Sequence, residues 1–485
     1  MKNENRNIEV KEFVMSKTVK TISSSIFFIL LCVFACVCLP LGTAFRKDSF
    51  VSTLFLTIGF MSAIGMITSS SSRSFSIRFI FYFYCFAFLF CAGITQFATG
   101  KFCWAFTPSI QEVERANIYV IVFMFIFAIS KIKISRGLSI QKPQRFFSFG
   151  KVTFKIVPFL FIELLLLLLG TSAFIRGGGI AMFFSRELFS KNSFVAFIDN
   201  KAFGQIVDAV ITAGCIFCTI LSLNLLKQKS RYSMILVILS IVTMLINIPP
   251  LAVARFSMVS AYGSIFLYFS SWIKKGKRFA YILSFGLLVV FPALNAFRYD
   301  GGEITIEVIQ KSIGEITSNF TNADYDSYTM LVYSLRYVET YGVTYGRQLV
   351  GVLLFFIPRS LWAGKPGGSG SMIIESLAPS YINPNVSCSI IGEGILNFGF
   401  LGILLFAFIL GKISTKLDDY YWNKTINKDC CFKNIYSYMV FFALFMFRGD
   451  LMSTTAFLVG MIVSTIAFSC LFKDKKQNKS TVTNC

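Results

Sequence analysis

Residues 342–375 contain a short apolar stretch with a basic residue at each end, inside a long and mostly polar segment. The stretch, residues 349–358, is about ten residues long and lies between Arg347 and Arg359. A transmembrane helix needs roughly 20 apolar residues, so this stretch predicts a re-entrant or surface-lying helix. Lys365 follows in a Gly-rich turn. Cations beside a short apolar helix indicate a membrane-surface site for an anionic, lipid-linked substrate.

Two further arginines lie at the edges of predicted membrane spans. Arg255 follows a short turn marked by Pro249 and Pro250, and Arg298 ends a span just before the long polar segment. An arginine within a span costs roughly 2.5–3.5 kcal/mol on insertion scales, so it normally faces a polar cavity or a partner. For Arg298, snorkelling to the membrane surface is the alternative. Together with Arg336, these residues predict a cationic site, because guanidinium groups bind phosphate oxygens in a bidentate manner.

The chain contains no histidine, which excludes a histidine general base and the usual Ser/His/Asp and Cys/His catalytic arrangements. The thirteen cysteines lack metal-ligand spacing and fall mainly inside apolar stretches, so we expect no metal and no cofactor. Glu393, between two glycines in SIIGEGILNFGFLG, is the first candidate for a general base. A structural partner for one of the arginines is the alternative role for Glu393.

Composition and hydropathy predict the helices that carry these side chains. Hydrophobic residues make up 55% of the 485, charged residues 14%, and the mean hydropathy of +0.68 is typical of an integral membrane protein. We predict an all-α polytopic membrane protein, because helices satisfy their backbone hydrogen bonds internally. About twelve spans are expected, near residues 22–42, 50–69, 79–99, 117–132, 154–175, 204–226, 232–250, 253–272, 279–297, 390–411, 434–450 and 454–472.

Loop charge orients these spans. By the positive-inside rule, the Lys-rich runs between spans place both termini in the cytoplasm. The predicted organisation is a cytoplasmic tail (1–21), nine spans (22–297), a long external loop (298–389), three spans (390–472) and a second cytoplasmic tail (473–485). The net charge of +22 is then mostly cytoplasmic lysine beside anionic lipid headgroups, so it does not indicate nucleic-acid binding. Asp324 and Asp326 are spaced like the metal-binding pair of nucleotide-sugar transferases, but those cytoplasmic substrates do not match an external loop.

Several of these segments resemble the Wzy-type oligosaccharide repeat-unit polymerases, the O-antigen and capsule polymerases. The resemblance lies in IPRSLWAGKP (357–366), in SIIGEGILNFGFLG (389–402) and in Arg255 after its short turn. Arg359 and Gly370 also show the spacing of an arginine, ten residues and a glycine described for external loops of such polymerases.

The resemblance implies a membrane glycosyltransferase of the bacterial inner membrane, acting at its outer face on undecaprenyl-pyrophosphate-linked oligosaccharides. Such an enzyme is expected to work without a metal, since fixed cations can stabilise the pyrophosphate leaving group. The implied catalytic residues are Arg255, Arg359 and Glu393. The implied substrate-binding residues are Arg298, Arg336, Arg347, Lys365, Tyr345 and Trp362, of which the two aromatic side chains would stack on sugar faces. Expected partners are the lipid-linked oligosaccharide, the lipid bilayer, and a chain-length regulator and flippase of the same pathway.

Two other functions stay open. An O-antigen ligase has a similar architecture and lipid donor, but that group relies on an external histidine, which this chain lacks. A polyprenyl-glycan flippase would be a transporter with a similar number of helices. Transporters commonly show internal repeats and charges at the bilayer midplane, whereas this chain concentrates its polar residues in one predicted loop.

Overall fold

The computed structural model describes residues 40–70, 73–104, 106–132, 154–198, 201–270, 273, 278–286, 320–380, 386–422 and 430–473. Most of the predicted first span, much of the span near 279–297 and nearly all of both predicted tails lie outside these ranges. Arg298 and two stretches of the predicted external loop, 298–319 and 381–385, also lie outside them.

The secondary structure of the described residues is helical, and no strand occurs within these ranges. In chain order the helices are α1 Ser49–Ser70, α2 Ile77–Thr99, α3 Ile110–Ile129, α4 Ile156–Arg176, α5 Arg186–Asn192, α6 Lys201–Lys227, α7 Ser233–Asn247, α8 Arg255–Phe269, α9 Arg278–Phe285, α10 Ser327–Tyr341, α11 Arg347–Leu353, α12 Ser369–Leu377, α13 Ile390–Trp422, α14 Cys430–Arg448 and α15 Leu451–Leu471. Short 3₁₀ turns occur at Gly179–Phe183, Phe194–Phe197 and Ala323–Tyr325.

Six of the described helices are long and apolar enough to cross a membrane. They are α1, α2, α4, α6 (from Phe203), α13 and α15. The prediction of a helical, multi-pass membrane protein is therefore confirmed. The count of twelve spans and the sidedness of the loops stay predictions.

Helix α2 is the centre of the bundle. It contains a π-helical turn at Cys85–Cys91, and its apolar window is wholly buried by other helices. A helix that is hydrophobic on all sides is expected to be surrounded by protein or lipid, and here protein surrounds it. Its aromatic side chains pack against α1, α3 and α14; Phe81, for example, lies 3.9 Å from Phe127 between ring centroids.

A second group of helices packs beside this centre. Helices α4, α6, α7, α8 and α15 share a core built around Phe159, Phe217 and Phe457. Helix α14 contributes to both cores, because its Phe441 packs with the first group and its Phe442 with the second. The antiparallel order of α8, α14 and α15 brings Arg255, Arg448 and Leu451 to one end of the bundle.

The short apolar segment folds as a helix that is shorter than the stretch in the sequence. Helix α11 ends at Leu353, and residues 354–362 form turns instead of continuing the helix. The helix packs against α13 and α15, and its Leu349 N–H donates to Asn397 Oδ1 at 3.1 Å. Seven helical residues span only about 10 Å, so α11 does not cross a bilayer.

Helix α13 has a break near its beginning. Phe398 and Gly399 have non-helical dihedrals, and Gly399 has a φ of 58°, which a glycine adopts without strain. The two parts then pack closely: a Cβ added to Gly402 would lie 1.9 Å from the Gly394 carbonyl oxygen. The short first part carries Glu393 inward and contacts α10 and α11.

Candidate functional site

One end of the bundle holds a cavity of about 340 Å³ that is lined by charged and apolar side chains, here called the arginine cavity. Three arginines line it from separate segments: Arg186 at the start of α5, Arg255 at the start of α8, and Arg448 at the end of α14. Three aspartates, Asp324, Asp326 and Asp450, line it as well. Charged groups of both signs in a concave, partly apolar site are typical of ligand-binding pockets.

Arg255 is held in the cavity wall by an ion pair. Its Nη1 donates to Asp324 Oδ2 at 3.0 Å, and the arginine side chain is 11% exposed against 36% for the aspartate. Arg255 is the first residue of α8, and Asp324 lies in the 3₁₀ turn before α10. The pair therefore joins α8 to the segment leading into α10, while the aspartate stays accessible from the cavity.

A second ion pair lies on the neighbouring wall. Arg448 Nη2 lies 3.4 Å from Asp326 Oδ1 and donates to the Ala323 carbonyl at 3.1 Å. Asp326 is almost fully buried and also accepts from the Ser387 hydroxyl at 2.6 Å and the Ser387 amide at 3.2 Å. The carboxylate of Asp326 thus accepts from three donors, and together with the Ala323 carbonyl it fixes Arg448 against the Ala323–Tyr325 turn.

Glu393 lies behind the cavity and not in its lining. The side chain is 1% exposed; its Oε2 accepts from the Ser369 hydroxyl at 2.9 Å and its Oε1 from the Leu451 amide at 3.2 Å. Asp450, the residue before Leu451, lines the cavity, and its Oδ1 caps α15 by accepting from the amides of Met452 and Ser453. Burial raises the pKa of Asp450. The Glu393 carboxyl group ties α12 and α15 to the first part of α13.

The cations of the loop around α11 bind their own backbone. Arg347 Nη2 donates to the Gly364 carbonyl at 3.2 Å, and Arg359 Nη1 donates to the Lys365 carbonyl at 3.0 Å. Lys365 is buried, and its ammonium donates to the carbonyls of Phe355 at 2.6 Å and Ile357 at 2.8 Å. Burial, followed by the nearby charge of Arg359, lowers the pKa of Lys365. These three cations hold the loop together, and they do not line the arginine cavity.

The remaining predicted residues are scattered. Arg336 forms a bidentate ion pair with Glu112, at 2.6 and 2.7 Å, and its guanidinium lies 5.2 Å from the Phe106 ring centroid. Tyr345 is 86% exposed with a φ of 48°, and Trp362 is half-buried in the turn after Arg359. Of the predicted site residues that the structure describes, only Arg255 lines the arginine cavity.

Residues outside the predicted site complete the cavity. Arg448, Gly449 and Asp450 form a charged turn between two apolar helices, and Arg186 begins a short helix between two spans. For Arg448 and Asp450 the signal was present in the sequence, because charges in a very short turn between spans must lie at a helix end. Which helix ends meet depends on packing that the sequence pattern does not report.

The donor set of the cavity suits an anionic oxygen ligand. Three guanidinium groups line the cavity, and Asp324 and Asp326 fix two of them in place by each accepting from one Nη of its arginine. Within the described ranges, no group of three or more His, Cys, Asp or Glu side chains is arranged to hold a metal ion. Compared with known proteins, the sequence matches no family model and no curated protein, and the fold matches no solved structure.

Proposed function

We propose that the chain polymerises undecaprenyl-pyrophosphate-linked oligosaccharide repeat units into O-antigen or capsular polysaccharide at the outer face of the inner membrane. The observation that carries this proposal is the convergence of Arg186, Arg255 and Arg448 on one cavity at the end of an apolar helix bundle. The resemblance of residues 357–366 and 389–402 to Wzy-type polymerases supplies the reaction.

The arginines would bind the pyrophosphate of the donor. Pyrophosphate carries its charge on several oxygens, and preorganised guanidinium groups stabilise the charge that develops as it leaves. Arg255 and Arg448 are fixed before the substrate binds, because Asp324 and Asp326 hold them. Arg186 comes from a segment between two spans, so it would close the third side of the site.

The surface beside Arg186 supports a lipid-linked substrate. Ile180, Phe184 and Phe197, from the segment between α4 and α6, are 69%, 56% and 59% exposed. In this segment the Arg176 guanidinium lies 4.2 Å from the Phe197 ring centroid. Exposed aromatic and aliphatic side chains mixed with cations are typical of segments in the membrane interface. A polyprenyl tail would lie along this surface while its pyrophosphate enters the arginine cavity.

The transfer itself requires one base. The hydroxyl oxygen at the non-reducing end of the new lipid-linked repeat attacks the anomeric carbon of the growing chain. The bond from that carbon to the pyrophosphate oxygen breaks, undecaprenyl pyrophosphate leaves with the bonding electrons, and the hydroxyl proton passes to a carboxylate. We assign the carboxylate to Asp324, which lines the cavity and is partly exposed. Glu393, the candidate from sequence, would instead position the helices behind it.

A cellular experiment separates this proposal from its two alternatives. A strain deleted for the gene is complemented with wild type, Arg255→Ala, Arg448→Ala or the control Arg115→Ala, after membrane levels are matched. Arg115 pairs with Glu339 on an exposed surface, with 48% and 44% of the side chains accessible. Surface glycan of a single repeat in the two cavity variants, with a normal ladder in the control, supports a polymerase.

The other patterns would overturn the proposal. Lipid-linked repeats trapped on the inner leaflet would identify a flippase. Full-length chains that accumulate on the lipid carrier without transfer to the final acceptor would identify a ligase. A normal ladder in both cavity variants would remove the arginine cavity from the reaction.

A further inference from the structure

A second cavity of about 420 Å³ lies at the opposite end of the bundle. Helix α8 runs from Arg255 in the arginine cavity to Tyr268 in the second cavity, and α14 runs back from Cys431 to Arg448. The fifteen residues of α8 rise about 22 Å, so the two cavities lie at opposite ends of the bundle. They share no lining residue.

The second cavity is a long apolar groove along one face of α6. Its lining side chains on that helix recur with helical spacing, from Phe217 deep in the protein to the exposed Gln228 at the mouth: Phe217, Ile220, Leu221, Asn224, Leu225 and Gln228. Eleven residue steps correspond to about 16 Å along the helix axis. Phe154, Tyr268 and Cys431 form the opposite wall. This shape suits a hydrocarbon chain with a polar group at one end.

Three amide side chains line the groove, on α6 and α14. Asn434 is 2% exposed, and neither its amide nitrogen nor its amide oxygen has a hydrogen-bond partner among the described residues. A buried amide without partners is destabilising, so its position beside a cavity indicates a ligand that supplies the missing hydrogen bonds. Asn224 and Gln228 add further hydrogen-bonding groups on the facing helix.

Three lysines lie next to residues that line the groove, although none of them is itself a lining residue. Lys433 Nζ lies 3.9 Å from the Tyr268 ring centroid, and Lys227 Nζ lies 4.4 Å from that of Phe269. Lys155, next to the lining residue Phe154, donates to the carbonyls of Leu471 and Lys473 at 2.8 and 3.0 Å. No acidic side chain is among the described residues that line the groove. The charge of the mouth is therefore complementary to an anionic headgroup.

We infer that the second cavity binds one anionic phospholipid of the surrounding bilayer, with an acyl chain between α6, α8 and α14 and its phosphate among Lys433, Lys227 and Lys155. Asn434 would hydrogen-bond the polar linkage between chain and headgroup. The occupant is a membrane lipid and not a free anion, because the apolar groove is continuous with the cationic mouth. This site is separate from the arginine cavity and does not depend on its proposed function.

Native mass spectrometry of the purified full-length protein in detergent tests the inference. Phosphatidylglycerol or phosphatidylcholine with the same acyl chains is added, and the retained lipid is counted for wild type, Lys433→Gln, Leu221→Trp and the control Lys412→Gln. Lys412 lies on α13 and donates to the Ile132 carbonyl, away from the groove. Inorganic phosphate and a polyprenyl phosphate are added in separate competition arms.

We expect wild-type protein to retain one phosphatidylglycerol molecule. Inorganic phosphate should not displace it, and phosphatidylcholine should not be retained in its place. Lys433→Gln should weaken its retention about fivefold, the effect of one lysine beside an anionic lipid. Leu221→Trp, which fills the groove, should abolish retention of phosphatidylglycerol. The control Lys412→Gln should leave that retention unchanged. Equal retention of both lipids, displacement by inorganic phosphate, preference for polyprenyl phosphate, or undiminished retention in Lys433→Gln would each overturn the inference. Because Lys433 is only half-buried, that variant reports on the site even if Leu221→Trp does not fold.

Discussion

Arg255 and Asp324 are 69 residues apart in the sequence, and their side chains meet at 3.0 Å in the wall of the arginine cavity. The pair has an asymmetry that matters for chemistry, since the guanidinium is largely enclosed while the carboxylate is a third exposed. A buried cation with a fixed partner is preorganised to hold an anion. An accessible carboxylate beside it can take a proton from a sugar hydroxyl.

Replacing Arg255 should lower the rate of polymerisation. We expect Arg255→Ala to lower the rate about 100-fold, the usual effect of removing one preorganised donor to a developing negative charge. Arg255→Lys should recover only part of the rate, because lysine keeps the charge but loses the bidentate fork. Rates are measured from the growth of the glycan ladder with purified protein, and Arg115→Ala serves as the control. An Arg255→Ala rate within a few-fold of wild type would contradict the role.

The two carboxylates proposed for different roles should respond differently to neutral isosteres. Asp324→Asn should lower polymerisation about 100-fold or more, because removal of a general base typically costs 10²–10⁴ in rate. Glu393→Gln should keep most of the activity, since the amide oxygen can still accept from the Leu451 amide. The same ladder assay compares them. If Glu393→Gln abolishes polymerisation in a protein with an unchanged melting temperature, the base is Glu393 and our assignment is wrong.

The close contact between Gly394 and Gly402 should make α13 sensitive to a single methyl group. A Cβ at Gly402 would approach the Gly394 carbonyl oxygen to 1.9 Å, so Gly402→Ala must separate the two parts of the helix. We expect a loss of about 2 kcal/mol or more in the free energy of unfolding, as for other overpacked sites. The loss of stability is followed as a lower melting temperature of the protein in detergent. Gly364→Ala is the matched control, because its added Cβ would lie 3.9 Å from the nearest atom and its φ is not positive.

The Arg336–Glu112 pair predicts a dependence of stability on pH. The hydrogen bonds from Arg336 hold the pKa of Glu112 below its usual range. A carboxyl group with a lowered pKa in the folded state stabilises the protein above its unfolded pKa of about 4.3, and that contribution is lost as the pH falls through the folded value. The difference in melting temperature between wild type and Arg336→Gln should therefore be largest near neutral pH and shrink towards pH 3. A difference that is constant over this range would show that the pair contributes no such linkage.

Composition was enough to predict the class of the protein and several helices. The apolar windows near 50–69, 79–99, 154–175, 204–226 and 454–472 correspond closely to α1, α2, α4, α6 and α15, because a span needs a long uninterrupted apolar run. The interruption of α13 was not predicted. The interruption depends on the positive φ of Gly399 and on the close contact between Gly402 and Gly394. Hydropathy contains no information on either feature.

The candidate site was predicted only in part, for a physical reason. Arg255 could be found because a charge at the edge of a span is costly and needs a polar surrounding. Arg347, Arg359 and Lys365 have the same sequence signature, yet in the structure their donors bind carbonyl groups of their own loop. A charge pattern in the sequence cannot distinguish a cation that is available to a ligand from one that donates hydrogen bonds to the carbonyl groups of its own loop. Arg448 and Asp326 enter the site through contacts between segments 122 residues apart.

The central claim is that this chain alone joins lipid-linked repeat units. The most direct measurement is to incubate the purified protein in detergent or liposomes with purified undecaprenyl-pyrophosphate-linked repeat units, with a metal chelator present. Glycan length and released undecaprenyl pyrophosphate are then followed over time. We predict a ladder of longer lipid-linked glycans, one released carrier for each bond formed, and loss of both in Arg255→Ala. Unchanged single repeats with active wild-type protein, or movement of the repeats across the liposome membrane without elongation, would contradict the account.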